Sequence, residues 1–261
     1  LKKDLRCRDH APLAMAAGFD AAAALYVIEP EWLVSPEFDA QHLEFTLACL
    51  GPLRDELAAR GLPLLVRVGT VLDVFAAVRR EFAFTHLVSH EETGPLWSYE
   101  RDKAVARWCR SEGVQWQEFV QTGVVRRLKS RSGWAARWQR RMSAPMIATP
   151  TGYSGARGLD VQALPTLLQL GIAPQHRAWP GAGEAAAHDT LRSFLQQRGA
   201  NYRQALSSPL TADTGCSRLS AHLAFGTLSM RTVHQATEAR IAELIASNNA
   251  ADKRFAFHLR G

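Results

Sequence analysis

Pro63-Leu64-Leu65-Val66-Arg67-Val68-Gly69-Thr70 is the stretch on which the fold turns. A run of leucine and valine opened by proline and closed by glycine has the length and composition of a buried strand. A helical pattern follows through Phe82, and Thr85-His86-Leu87-Val88-Ser89 then gives another strand. Upstream, Leu25-Tyr26-Val27-Ile28 ends at Glu29-Pro30, and Phe38 to Arg60 repeats apolar residues at helical spacing (Leu43, Leu47, Leu50, Leu53, Leu57) before Gly61. Downstream, a helix from about Ser98 to Ser111 leads to a fourth strand over Gln115 to Val120. Parallel neighbours need a crossover, and helices supply it while covering the sheet. The alternation therefore predicts an α/β domain, a parallel sheet with flanking helices.

The pattern changes near Gly123. Between there and about Gln175, Arg126, Arg127, Lys129, Arg131, Arg137, Arg140 and Arg141 come with no acidic residue among them. Pro145, Pro150, Gly152, Gly155 and Gly158 then break up regular structure, as in an interdomain connection. Beyond it only helical patterns remain: Glu184 to Arg198 with Ala187, Leu191, Phe194 and Leu195 apolar, then Ser217 to Phe225 and Met230 to Ile245. The expected division is an α/β domain over 1–130, a linker over 131–175 and the start of an all-α domain over 176–261. Lys2-Lys3-Asp4 has no strand ahead of it, and His258-Leu259-Arg260-Gly261 halts inside a periodic segment, so both ends read as cuts and the first strand as missing.

The 261 residues are 47% hydrophobic and 21% charged, an ordinary globular composition. No stretch approaches the roughly 18–20 unbroken apolar residues of a membrane helix, and no leader pattern is present. A cytoplasmic monomer is the expectation. The formal charge of +6 favours polyanionic partners. Cys7, Cys49, Cys109 and Cys216 are far apart with no CxxC pair and read as free thiols. His86 and His90 fall on one side of a strand without a third ligand, so no metal site is assigned.

Cys216-Ser217-Arg218-Leu219-Ser220 follows a turn-rich stretch and precedes a helix. Hydroxyls and free N–H groups at a helix start suit a phosphate or pyrophosphate; the commoner role for Ser217 there is a plain N-cap. Trp134 and Trp138, one helical turn apart in the basic segment, suit stacking with nucleic acid. A solvated helix whose tryptophans pack on the sheet domain is the commoner arrangement. Arg101-Asp102 reads either as a polar site above a strand or as a charged helix start. GxGxxG, GxxxxGK[ST] and GxSxG are absent, which removes the usual dinucleotide, phosphate-loop and hydrolase readings.

Three segments together resemble the photolyase/cryptochrome family. Lys2-Lys3-Asp4-Leu5-Arg6-Cys7-Arg8-Asp9-His10 is similar to its R-x-D-L-R-x-x-D-N start, and Thr85 to Gly94 with Arg101-Asp102-Lys103-Ala104-Val105 to its third strand and R-D-x-x-V helix. Pro180-Gly181-Ala182-Gly183-Glu184, Tyr202 and Cys216 through Ser229 are similar to its G-G-E, tyrosine and T-S-R-L-S-P-Y-L-x-x-G-x-L-S succession. The resemblance implies a Rossmann-like domain, with room for an antenna chromophore of unspecified identity, followed by a helical domain that holds FAD. It implies light-driven electron transfer that splits pyrimidine dimers in damaged DNA, or, in the cryptochrome branch, blue-light signalling without repair.

Carried over residue by residue, Tyr202 is a flavin contact, and Cys216, Ser217, Arg218, Leu219 and Ser220 are the loop around the FAD phosphates. Cys216 replaces a threonine, Ala221-His222 replaces Pro-Tyr, and Leu206 stands where many photolyases have a DNA-contacting arginine. Trp97-Ser98 replaces the Asn-Glu pair that clamps a folate antenna in some members. The substrate-side glutamate and tryptophan, the ring-contacting asparagine and aspartates and the relay tryptophans fall beyond Gly261, so no residue is assigned a catalytic role. Weak flavin retention and poor solubility are expected of the chain by itself, the latter from apolar faces on the last helices.

Overall fold

The computed structural model describes residues 1–175 and 180–260. Gly261 and the first residue of the expected all-α segment, at 176, lie outside the described residues. Helix α1 (Ala11–Ala16) starts where His10 Nδ1 accepts the Leu13 N–H at 3.1 Å. Strand β1 (Ala24–Ile28) runs into the short α2 (Pro30–Leu33), and Asp39 then caps the long α3 (Ala40–Ala59) by accepting the Gln41 N–H. Its buried side chains include Leu43, Leu50, Leu53 and Leu57, the periodic positions of the sequence. Each such burial contributes about 1.5–3 kcal/mol. Gly61 ends this segment at φ +84, and a Cβ there would stand 2.9 Å from the Tyr153 carbonyl oxygen. Only glycine meets both demands cheaply.

Strand β2 (Leu64–Val68) follows, then α4 (Val71–Glu81), where the Thr70 hydroxyl accepts the Asp73 N–H and donates to the Asp73 carboxylate at 2.6 Å. Strand β3 (His86–His90), α5 (Leu96–Ser111) and β4 (Gln115–Phe119) complete the α/β part. The strands are parallel, as the alternation predicts, but they form two pairs rather than one ladder. β1 lies beside β2, with Ala24 opposite Leu64, and β3 beside β4, with His86 opposite Gln115. Among the described residues the pairs are not hydrogen-bonded to each other. An apolar cleft of about 750 Å³ separates β1 from β3.

The segment read as a linker contains a helix of its own, α6 (Trp134–Met142). Its later part runs back along the sheet, where Ala22 donates to Ser154 O and accepts from Ala156 N, both at 2.8 Å. The all-helical part comprises α7 (Gly183–Gln196), α8 (Tyr202–Ala205), α9 (Pro209–Gly215), α10 (Ser220–Ala224), α11 (Met230–Ala246) and α12 (Ala250–Leu259). Leu191, Phe194, Leu219, Leu228, Ile241, Leu244 and Phe255 make its own core. Leu210, Ile245 and Phe257 are exposed on these helices, and Leu206 is exposed just after α8. No described helix is long and apolar enough to cross a membrane.

The two parts meet along residues 3–10. Leu5 N donates to Phe225 O at 3.1 Å, and Cys7 N to Glu184 at 2.7 Å. The Arg6 guanidinium, 2% exposed, donates to the carbonyls of Gly226, Asp9 and Arg8 and to Gln121 Oε1. Asp9 accepts from Ile147 N at 3.1 Å and from the Ser229 hydroxyl at 2.7 Å. Gly226, at φ +69, has the Lys3 carbonyl where a Cβ would go. Gly226→Ala is therefore expected to destabilise the protein by at least about 1–3 kcal/mol from the backbone conformation alone, with the clash adding to it. Urea unfolding would read this as a lower midpoint with an unchanged slope.

Candidate functional site

The five residues Cys216 to Ser220 lie between α9 and α10, and their geometry is set from below by Arg198. That guanidinium, just beyond α7, donates to the Cys216 carbonyl and, at 3.1 Å, to the Ser217 carbonyl. It is itself aligned by Ser193 Oγ at 2.9 Å and Thr190 O at 2.9 Å. In a trans peptide the C=O of one residue and the N–H of the next are antiparallel. Turning the carbonyls of Cys216 and Ser217 inward to Arg198 therefore turns the N–H groups of Ser217 and Arg218 outward. Arg218 adopts φ +60, a left-handed conformation uncommon outside glycine.

Helix α10 begins at Ser220, with Leu219 as its N-cap and no side-chain cap. Ser217 is thus neither the N-cap nor the first residue of the helix, which starts later than periodicity suggests. The reason is that Leu219 is 4% exposed and anchored in the helical core, so the chain must first turn inward. Tyr202 packs against the same cluster, its ring edge-on to Phe194 at 5.4 Å. The structure brings Tyr202 and Leu219 together in that core and leaves Ser217, Arg218 and Ser220 facing outward or half-exposed. Burial, and next the nearby Arg218 charge, disfavour the Arg198 cation and lower its pKa. An anion beside Ser217 and Arg218 would relieve that repulsion. Arg218 meets Asp213 at 2.8 Å, but both are largely exposed and the pair is worth little. Arg198 was legible in the sequence only as the last residue of a helix; nothing in its spacing marks it as the loop's anchor.

Arg101-Asp102 resolves into a buried ionic network at the carboxyl ends of β1 and β3. Arg101 reaches Glu29 at 2.6 Å, Glu92 at 2.6 Å and Asp102 at 2.9 Å, and Lys2 reaches Asp102 at 2.6 Å. Burial, the largest influence, pushes Glu29 upward, and with Glu31 and Asp102 adding to it the carboxyl stays raised despite Arg101. Burial also acts upward on Glu92, but Arg101 and Lys2 outweigh it and hold that carboxyl below the usual range. Trp97 lies over the Arg101 guanidinium at 5.7 Å, and Ser98 is turned back onto Pro95 O at 2.8 Å.

Buried Asp4, His10 and His90 lie within ligand distance of one another, as do buried Cys7 and the half-buried Glu56 and Glu184. The sequence shows no third ligand for His90 on its own strand; His10 and Asp4 approach it from the amino-terminal segment. Asp4 faces His90 Nδ1 at 2.7 Å and His10 Nε2 at 3.2 Å, and accepts the Lys2 N–H at 2.6 Å. Glu184 takes the Cys7 and Arg8 N–H groups. Burial pushes the Cys7 thiol up to about 12 and those of Cys49 and Cys109 to about 11, which makes them poor nucleophiles.

In the basic segment, Arg126 is held by Glu91 and Glu118, whereas Lys129, Arg131, Arg137 and Arg140 are exposed and form no ion pair among the described residues. Trp138 packs on Gly123, just beyond β4, its ring standing where a Cβ there would go. It stands edge-on to His234 of α11 at 5.0 Å, and Trp134 donates to Gly123 O at 3.1 Å while remaining 38% exposed. Trp138 is thus held between the end of the β4 segment and α11.

The family model described as DNA photolyase matches residues 1–136. A deoxyribodipyrimidine photo-lyase of Halobacterium salinarum is 29% identical over 261 residues, covering 91% of this chain and 53% of the relative. The crystal structure of a bacterial class III photolyase from Agrobacterium tumefaciens superposes with a TM-score of 0.75 at 23% identity, covering 100% of this chain and 56% of that one. The Synechocystis cryptochrome superposes with a TM-score of 0.79 at 19% identity, covering 99% and 58%. The chain spans about half the length of these relatives.

The Asp4–His10–His90 cluster generates a pH dependence. Burial pushes His10 down from 6.5 to about 4. Between those values the unfolded chain binds a proton that the folded one refuses, so stability falls as pH falls through this window. The gap corresponds to about 3 kcal/mol, at roughly 1.4 kcal/mol per pKa unit. Asp4 is held well below its ordinary value: burial acts upward but the two histidines outweigh it, and its contribution is lost only at lower pH. His10→Asn retains an acceptor for Leu13 N and is expected to flatten the curve between pH 6.5 and 4. Urea titrations of both proteins across that range would measure it.

Proposed function

Because the chain belongs to the DNA photolyase/cryptochrome family, we propose that it supplies the α/β domain and the first part of the flavin pocket of a deoxyribodipyrimidine photolyase-like flavoprotein. The observation that carries this reading is the loop Cys216–Ser220, whose outward N–H groups and neighbouring guanidiniums suit a pyrophosphate. Bound there, FAD would supply the light-excited electron donor for splitting pyrimidine dimers. Ser217 and Arg218 would hold its phosphates through backbone N–H groups and the Ser217 hydroxyl, and Arg198 would keep the loop in shape without touching the cofactor. The exposed cations of α6 and the charge of +6 suit the phosphate backbone of damaged DNA.

A second reading is a cryptochrome-like photoreceptor without repair activity. Leu206, 48% exposed, stands where a DNA-contacting arginine would be expected. Loss of dimers from irradiated DNA under blue light, measured with a photolyase-length protein containing this chain, separates the two. Repair above the dark control supports the first reading; bound, reducible flavin with no loss of dimers sinks it.

Arg198→Met removes the grip on two carbonyls and is expected to weaken FAD binding by that protein about tenfold, the equivalent of one charged hydrogen bond. Arg198→Lys should recover part of the loss. Fluorescence titration with FAD measures both. The chain as it stands should bind FAD weakly, with little flavin absorbance after purification.

A further inference from the structure

Asp4, His10 and His90 come from three places in the chain and turn toward one point. Asp4 lies in the amino-terminal segment, His10 is the N-cap of α1, and His90 is the last residue of β3. All three are between 1% and 2% exposed. His90 Nδ1 stands 2.7 Å and His10 Nε2 3.2 Å from the same oxygen, Asp4 Oδ2. The other carboxylate oxygen, Oδ1, is taken by the Lys2 N–H. The two rings are tilted by 59° with centroids 4.5 Å apart, so they do not stack. His90 and Asp4 share a hydrogen bond, whereas His10 Nε2 is too poorly directed for one and has no other partner. His10 Nδ1 accepts the Leu13 N–H, so the proton of the neutral ring sits on Nε2, a buried donor without an acceptor. Such a group costs stability unless something takes the place of the missing partner.

We propose that Asp4 Oδ2, His90 Nδ1 and His10 Nε2 form a three-ligand site for a zinc ion. Two imidazoles and one carboxylate are a zinc donor set, whereas magnesium and calcium take oxygen ligands. Tetrahedral zinc bonds of about 2.0–2.2 Å hold the ligand atoms about 3.3 Å apart. His10 Nε2 already stands at that distance from Asp4, and His90 has to recede by only about 0.6 Å. Asp4 and His10 also line the cleft beside β1, which admits the ion and leaves room for a water as fourth ligand. Zinc needs neutral imidazole, and burial, which pushes His10 down to about 4, has already removed the competing proton. On binding, the remaining His10 proton moves from Nε2 to Nδ1, and the Leu13 N–H loses its acceptor. That lost cap opposes binding and also marks it. Cys7, Glu56 and Glu184 make the poorer site, because the Cys7 thiol keeps its proton up to about 12 and Glu184 already takes two backbone N–H groups.

The test is zinc titration of the chain after treatment with a chelator, in parallel with His10→Asn, His90→Gln and Cys7→Ala. The unaltered chain and Cys7→Ala are expected to bind one equivalent with the same affinity. His10→Asn and His90→Gln should bind it about 100-fold or more weakly, at or beyond the loss seen when a group that merely orients a ligand is removed. Zinc at about 100 times its dissociation constant should raise the thermal midpoint of the unaltered chain by about 5 °C or more. Nitrogen chemical shifts of the unaltered chain give a reading that needs no variant: zinc should move His10 Nε2, His90 Nδ1 and the Leu13 amide together. A chain that binds no zinc, or binds it with both rings unmoved, would overturn the proposal. So would equal affinity in the two histidine variants and the unaltered chain, or loss of binding in a folded Cys7→Ala, which would place the ion at Cys7, Glu56 and Glu184. Neither light nor flavin enters the measurement, so its outcome is independent of the flavoprotein reading.

Discussion

The rest of the structure depends on one buried cation. The Arg6 guanidinium is almost fully enclosed, and burial, opposed by Asp4 and Asp9, disfavours its charge. An arginine does not escape by losing its proton, so the fold must solvate it with protein. It does so with three carbonyls and one side-chain oxygen, drawn from the amino-terminal segment, from Gln121 after β4 and from Gly226 after α10. These groups must converge before the charge can be buried. The requirement fixes the helical part against the sheet as tightly as any apolar contact between them.

The neighbours of Arg6 extend the constraint in both directions. Asp4 ties the segment to His90 at the end of β3, and Lys2 ties it through Asp102 to Arg101, Glu29 and Glu92. Asp9 and Glu184 tie it to Ser229, Ile147 and the start of α7. Such networks add little net stability over an apolar core, but removing one partner leaves an uncompensated charge at a cost of about 3–5 kcal/mol. Their effect is to penalise every other register. A sheet in two halves can keep its geometry because each half is fixed separately to the same polar segment.

The α/β class, the parallel strands and the helices α3, α4, α5, α7 and α11 were legible because their apolar positions recur at strand or helix spacing. Leu43, Leu50, Leu53 and Leu57 are buried where periodicity put them. The segment Asp4–His10 was legible only as a resemblance, because its residues act on partners some 85 to 220 positions away, and no local pattern encodes that distance. The split of the sheet was equally invisible: a strand's composition does not say which of its edges is occupied. Helix α6 was legible from Trp134 and Trp138 one turn apart, and both reach Gly123 beyond β4, but spacing could not show that Trp138 also meets His234 of α11. Arg101-Asp102 left two readings open, and tertiary pairing alone decided for a buried network.

The loop Cys216–Ser220 shows why a local reading favours the cap. Ser217 before a helical pattern is what an N-cap looks like. A cap, however, requires an extended residue directly ahead of the helix, whereas Ser217 is separated from α10 by Arg218 at φ +60 and by buried Leu219. The left-handed conformation costs about 1–2 kcal/mol in a residue with a Cβ, and a plain cap would have no use for it. It persists because Arg198 holds the two preceding carbonyls and Leu219 is locked in the core, so the backbone between them is over-determined. Strain held this way, with adjacent N–H groups turned outward and two guanidiniums close by, is the arrangement that an anion would stabilise. A phosphate at this loop would be held by backbone N–H groups, so the loss of a hydroxyl at Cys216 would leave its site intact.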